Sequence, residues 1–430
     1  MSSTPVRRRR VLLASASTGG TISAVRQLAA KGFDVRVLSS EQLAAAKWSR
    51  AVSYSYRVPP EIESGRFISK LLDIGKAEPG QVILPTSDQT AWLYSSNMEL
   101  LAQYYCLYQP SNSILRRLLD KKLFAAAADK VGIATVPYWD PENENELQEL
   151  APNLPYPILL KPRTHVSGAA RERGSVVRCS KELLHDYARF VARNKNRGRD
   201  EFPFPDTARP ILQQFVPVGN QGVYSVSGFI DRSGELFVTR RSRKVFQRSR
   251  PVGVGVCYEA APPDDSLSRS VRALCLELGY FGIFEVEFLP VNGGWAAIDF
   301  NPRLYNQIGL DSGRGLPLPL LACLGALDEE SELRDAIASA QSVTDDSTMV
   351  LYDRFTLNSM LAAMYMTSRI SRKDLVYWKA WAKRNGARAI DVAVDKEDPL
   401  PGVIHALSEA YLGVKAAQRF FQSNPRVTST

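Results

Sequence analysis

The chain has 430 residues, enough for about three folding units at roughly 150 residues each. Hydrophobic residues make up 45% and charged residues 23%, which excludes a disordered tail protein, a fibre or a disulfide-stapled miniprotein. The net charge of +9 is uneven: residues 151–260 hold nineteen Lys and Arg against nine Asp and Glu, and Arg7–Arg10 add four more. Such clustering favours a local polyphosphate pocket over nonspecific nucleic-acid binding. No apolar run reaches the roughly 18 residues of a membrane span; the fullest, Leu316–Leu327, is cut by Pro317 and Pro319. The five scattered cysteines lack CxxC spacing and read as reduced intracellular thiols, so a cytoplasmic location is expected. Arg7–Arg10 read as the end of a solvated basic tail over residues 1–10, without the apolar region that would predict export.

Short apolar runs at Val11–Ala14, Val35–Leu38, Val82–Leu84 and Cys106–Tyr108 predict strands, separated by helices such as Thr21–Lys31 and Glu61–Gly75. That alternation predicts an α/β layer with a parallel sheet. The turn Ser17–Thr21 has neither GxGxxG nor GxxxxGK[ST] spacing. One long helix is predicted next, capped by Ser111 or Ser113, striped by Ile114, Leu115, Leu118 and Leu119, and stopped by Gly132. Ile158–Leu160 is a buried-strand pattern ending abruptly in Lys161-Pro162. Residues 194–210 suit an exposed loop, and 211–260 are strand-like with a turn at Asp231–Gly234. Asp264 and Asp265 open a helix with apolar residues at 267, 271, 274, 275 and 278. Residues 331–430 are mainly helix-compatible.

Phe284–Leu289, the turn residues Asn292–Gly294 and Trp295–Arg303 read as a hairpin. Side chains alternate across a strand, so Glu285 and Glu287 share the face opposite Phe284, Val286 and Phe288. In the second strand the alternation sets Ala297, Asp299 and Asn301 against Ala296, Ile298 and Phe300. A three-residue loop at 292–294 puts Glu287 opposite Asp299. Like charges so placed destabilise a strand pair; either they lie on a solvated sheet face, or magnesium compensates them through hard oxygen ligands. Arg303 follows immediately, placed to hold a developing anion.

The run Glu-Phe, hairpin, Ile298-Asp299-Phe300-Asn301-Pro302-Arg303 resembles the metal-binding motif of the ATP-grasp superfamily. Asp120-Lys121, eleven residues before Gly132-Ile133, is similar to the helix lysine that reaches ATP phosphate there, and Lys161 to the second phosphate lysine. Ile211–Val216, with Gln213, Gln214, Phe215 and Val216, resembles the linker whose backbone pairs with adenine; Arg240–Lys244 resembles the basic strand facing phosphates and acyl group. The resemblance implies an α/β and α+β chain: a basic tail (1–10), a Rossmann-like pre-ATP-grasp domain (11–112) and an ATP-grasp domain (113–330). Its small lobe would span about 134–210, its large lobe about 211–330, and a mostly helical extension would follow over 331–430. It implies ATP and one or two Mg²⁺, replaceable by Mn²⁺, with Glu287, Asp299 and Asn301 as metal ligands and Arg303, Lys244 and Arg241 as catalytic groups.

The implied activity is ATP-dependent carboxylate–amine ligation through an acyl phosphate, on small-molecule substrates such as amino acids. No nucleic acid or membrane is implied, and a homodimer is left open. Lys244, Pro251-x-Gly253 and Asp398-Pro399-Leu400-Pro401 look most like stand-alone amino-acid ligases of the D-aspartate ligase type. Bicarbonate-activating chemistry of the carbamoyl-phosphate-synthase or biotin-carboxylase kind, or catalytically silent ATP binding, stands as the alternative. Three features depart from the family pattern: Asp299 replaces the usual Glu, the loop Thr164–Ala170 is poor in glycine, and Gln213-Gln214 stands where an acidic residue is common.

Overall fold

The computed structural model describes residues 9–166, 174–194, 201–218, 222–248, 253–291, 293–345 and 348–423, the side chains as far as 413. Arg7, Arg8, residues 167–170 of the glycine-poor loop, Pro251 and Asn292 lie outside them.

Three sheets organise the chain. Strands β1 (Arg10–Leu13), β2 (Asp34–Ser39), β3 (Tyr54–Arg57), β4 (Gln81–Leu84) and β5 (Tyr105–Leu107) form a wholly parallel sheet in the order β3-β2-β1-β4-β5. Arg10 opens β1 and pairs with Glu78 (3.3 Å), while Arg9 pairs with Glu329 (2.9 Å) and Glu332 (2.6 Å). These two arginines are therefore bound to the fold, not part of a free tail. At the first turn Thr18 caps the helix Gly19–Ala30, and a Cβ on Gly20 would lie 2.4 Å from the Tyr305 carbonyl. Glycine serves there as a close-packing residue.

The second sheet, β6 (Tyr138–Trp139), β7 (Ile158–Pro162), β8 (Ser175–Val177) and β9 (Pro210–Gln214), runs in the order β6-β9-β7-β8. It packs on the helix Ser180–Asn194 through Leu183, Tyr187 and Phe190. The third sheet has seven strands: β10 (Val223–Ile230), β11 (Phe237–Gln247), β12 (Gly255–Ala260), β13 (Gly282–Val291), β14 (Gly294–Asn301), β15 (Val350–Tyr352) and β16 (Ala389–Asp391). Its order is β14-β13-β10-β11-β12-β15-β16, so two strands from the region read as helical complete it. Asp398 accepts from Arg26 Nε (2.9 Å), Ser49 Oγ (2.6 Å) and the Arg50 amide (3.0 Å), which ties this region back to the segments flanking the first sheet. No helix among the described residues is long and apolar enough to cross a membrane.

The predicted long helix is two. Asn112–Leu119 ends at Asp120, whose backbone turns extended (φ −92°, ψ 116°) and whose carboxylate caps Lys121–Lys130 at the amides of Lys122 (2.9 Å) and Leu123 (3.2 Å). A helix start needs acceptors for its free N–H groups, and an aspartate supplies one. The break makes Lys121 the first residue of the new helix. Asp120→Ala should lower stability by about 1 kcal/mol or more in urea unfolding; an unchanged midpoint would refute the capping role.

Candidate active site

The hairpin β13–β14 reaches the anticipated pairing by a different route. Val291 pairs with Gly294, so the loop has two residues, and a bulge between Glu287 and Phe288 restores one step. Glu287 then lies opposite Asp299 and Glu285 opposite Asn301. The bulge also shifts Ala297 into the apolar cluster with Phe288 and Phe300, away from the face assigned to it by simple alternation.

Four acidic or amide side chains therefore share one face with cations from three other elements. Lys244 of β11 places Nζ 2.8 Å from Glu287 Oε1. Lys121 places Nζ 2.7 Å from Asp299 Oδ1, and its amide donates to the Arg163 carbonyl at the end of β7 (3.0 Å). His165 Nε2 is 3.9 Å from Asp299 Oδ2. Burial alone would raise the Asp299 carboxyl, but Lys121, His165 and Lys161 hold it well below the usual carboxylate range. Burial opposes the Lys244 charge too, yet Glu287 raises it above the ordinary lysine value.

Lys161 differs. It is buried at the end of β7 and makes no side-chain hydrogen bond or ion pair with a described residue. Burial, then the charge of Lys121, pulls its ammonium down to about 7, against Asp299 and Glu287. A buried lysine without a partner among the described residues, beside two carboxylates, can receive an anion that brings its own cation.

Arg303 is held by three bonds: Nε to Asp88 (2.6 Å), Nη1 to the Leu304 carbonyl (3.0 Å) and Nη2 to Asn301 Oδ1 (2.7 Å). Burial disfavours its charge, but Asp88 keeps the guanidinium firmly protonated. Two of its five N–H donors stay unspent among the described residues. Asp88 starts the helix Asp88–Ser96 behind a capping box of Ser87 and Thr90. The Ser-x-x-Thr spacing was the available signal for that residue. Glu285, singled out only as a strand neighbour, accepts from Ser225 Oγ (2.8 Å), Asn301 Nδ2 (3.0 Å) and Gln307. Burial and the neighbouring Glu287 charge raise its carboxyl. Asn301 is thereby fixed at both ends of its amide.

Other expected residues fall elsewhere. Arg241 is not at this face: strand alternation turns it away from Lys244, toward Ser268 (2.8 Å) and Asp265 (3.3 Å). Arg243 points the same way, to Glu259 (2.7 Å), and Arg240 donates to the carbonyls of Arg314 and Ala340 (2.8 Å to the latter). In the linker, the Gln214 and Phe215 amides already donate to Pro137 (2.9 Å) and Pro157 (3.3 Å) carbonyls. No such bond from the Val216 amide forms among the described residues.

The donor set suits magnesium. Among the described residues no group of three or more His, Cys, Asp and Glu could hold a metal alone. Two opposed carboxylates and an amide next to a free ammonium match an ion that completes its shell with phosphate oxygens and water.

No protein-family model matches the sequence. The chain is 25% identical over 232 residues to a formate-dependent phosphoribosylglycinamide formyltransferase of Ignicoccus hospitalis, covering 52% of this chain and 54% of that one. It is 25% identical over 206 residues to a biotin carboxylase of Pseudomonas aeruginosa, covering 45% and 42%. The chain spans about half the length of the curated relatives it matches. Among solved structures, the biotin carboxylase domain of Hydrogenobacter thermophilus 2-oxoglutarate carboxylase, with MgADP and bicarbonate, superposes with TM-score 0.59 at 16% identity over 74% of this chain and 69% of that one. An N5-carboxyaminoimidazole ribonucleotide synthetase bound to ADP gives TM-score 0.51 at 17% identity over 71% and 72%. This is the two-lobed ATP-grasp fold. These relatives and neighbours are ATP-grasp enzymes, and the helical C-terminal region continues the ATP-grasp large sheet through β15 and β16.

With Lys161 as a phosphate receptor, binding would be pH-dependent. In the free protein its ammonium loses the proton as pH rises through about 7, whereas a bound polyphosphate favours the charged form. ATP affinity should therefore fall above pH about 7, by at most about tenfold per unit, and Lys161→Ala should flatten the profile. A flat profile in the unaltered protein, measured by calorimetry between pH about 6 and 9, would refute this.

Proposed function

We propose that the protein is an ATP-dependent carboxylate–amine ligase that joins its substrates in an amide bond and releases ADP and phosphate. The observation that carries the reading is the buried Lys161, without a side-chain partner among the described residues and within reach of the charges of the opposed pair Glu287 and Asp299. On this reading residues 11–112 precede the ATP-grasp domain at 113–330, and ATP lies between the second and third sheets. Gln213–Val216 border the adenine, with the Val216 amide as donor, and Lys121 and Lys161 hold the phosphates. Glu287, Asp299 and Asn301 would hold Mg²⁺, which when bound neutralises phosphate charge.

The protein's own groups then act mainly by position and charge. Lys121 and Lys244 leave their carboxylate partners for phosphate and acyl oxygens. A substrate carboxylate attacks the γ-phosphorus to give an acyl phosphate, and an amine displaces phosphate from it. The two spare N–H groups of Arg303 and the Lys244 ammonium stabilise the oxyanion of that displacement. Arg241 has no part in it, being on the other face of β11. The amine and acid are small molecules, with amino acids as the first class to test.

Biotin carboxylases among the relatives, and a structural neighbour with bicarbonate, favour bicarbonate as an alternative acid. An ADP-release screen of amino acids, formate and bicarbonate against a panel of amines, with mass spectrometry of products, separates the two readings. AMP and pyrophosphate as products would refute both. Asp299→Asn and Glu287→Gln should each lower Mg²⁺-dependent turnover by about 100-fold or more while keeping the folded CD spectrum. Undiminished turnover in both would remove the metal assignment.

A further inference from the structure

The sheet face turned away from Lys244 bears a second cavity, of about 370 Å³. Its floor is β11 and β12, through Arg243 and Glu259, and its wall is the helix Arg372–Asn385. That volume lies within the range of small-ligand sites, about 300–1,000 Å³. Trp378 and Trp381 line it together with the half-exposed Tyr377.

The charge within it is unbalanced. Three arginines line the cavity, Arg243, Arg384 and Arg388, against one acid, Glu259. Glu259 is fully engaged: Oε1 accepts the Trp381 indole N–H at 2.7 Å and Oε2 accepts Arg243 at 2.7 Å. Arg384 and Arg388 form no ion pair or side-chain hydrogen bond among the described residues, and the Nε of Arg243 is buried without a partner. Guanidinium forks select planar or tetrahedral oxyanions and tolerate stacking against flat rings. Aromatic walls supply apolar area with defined geometry. A bare inorganic anion would leave that wall and most of the volume unused.

We propose that this cavity is a second binding site, separate from the ATP-grasp centre, for a small organic oxyanion carrying a flat ring, gripped by Arg384 and Arg388 above Arg243. The oxyanion is either a phosphate or a carboxylate, since both match the same forks. The ring packs along Tyr377 and the two tryptophans.

Intrinsic tryptophan fluorescence of the full chain, with calorimetry for stoichiometry, tests the site. The probes are phenyl phosphate, phenylpyruvate and inorganic phosphate. One ring-bearing anion should bind saturably, one per chain, and which of the two does so identifies the oxyanion. Arg384→Ala/Arg388→Ala should weaken it at least about tenfold. Both arginines are exposed and unpaired, so that variant should fold as the parent does. Lys161→Ala, which alters the ATP-grasp centre, should leave this binding unchanged. The proposal is overturned if neither ring-bearing anion saturates below about 10 mM, or if the double variant binds as tightly as the parent. It is equally overturned if inorganic phosphate binds as well as the ring-bearing anions, or if Lys161→Ala abolishes the signal.

Discussion

The constraint on which the rest of the site depends is the placement of Glu287 directly across from Asp299 on one face of the large sheet. Two carboxylates so close, half-buried, demand positive charge, and each obtains it from a different part of the chain. Lys244 comes from the neighbouring sheet region, and Lys121 from a helix start bonded to the end of β7. The electrostatic demand of one hairpin thus joins the small sheet, the large sheet and the helix between them. Lys161 adds a third ammonium at that junction with no acid left for it, and a buried charge without a counter-charge is costly. The arrangement is satisfied by a ligand that supplies both anion and cation.

The basic surplus between residues 151 and 260 does not collect at this centre. Of its strand Arg240–Lys244 only Lys244 faces the carboxylates; Arg241 and Arg243 are turned away by alternation, and Arg240 is spent on backbone carbonyls. Two of the centre's four fixed cations, Lys121 and Arg303, lie outside that segment altogether. Net charge over a stretch of sequence counts side chains without regard to face, and a strand divides its side chains between two faces. Part of the surplus instead borders the aromatic cavity on the reverse side.

Supporting residues are as demanding as the centre. Arg303 is oriented by Asp88 at the start of the helix Asp88–Ser96 and by Asn301, which is itself fixed by Glu285. Glu285 is bound in turn by Ser225 and Gln307. Such outer partners hold a ligand set in one geometry. Asp398 and β15–β16 show that the C-terminal region is built into the same frame.

Period-two alternation over Phe284–Phe288, the polar turn and the abrupt strand end at Lys161-Pro162 made the hairpin, the opposed acids and a buried lysine legible in the residues themselves. The parallel first sheet was legible for the same reason: these are local patterns, expressed within a few residues. What needed the tertiary structure were the non-local outcomes. The Asp88–Arg303 pair and the strands supplied by residues 350–391 each depend on a partner far away in sequence, and Lys121, aimed by the local Asp120 break, meets Asp299 from 178 residues away. Local pattern determines which side chains can share a face; only packing decides which distant charge meets them there, because electrostatic and hydrogen-bond partners are chosen by distance in space and not along the chain.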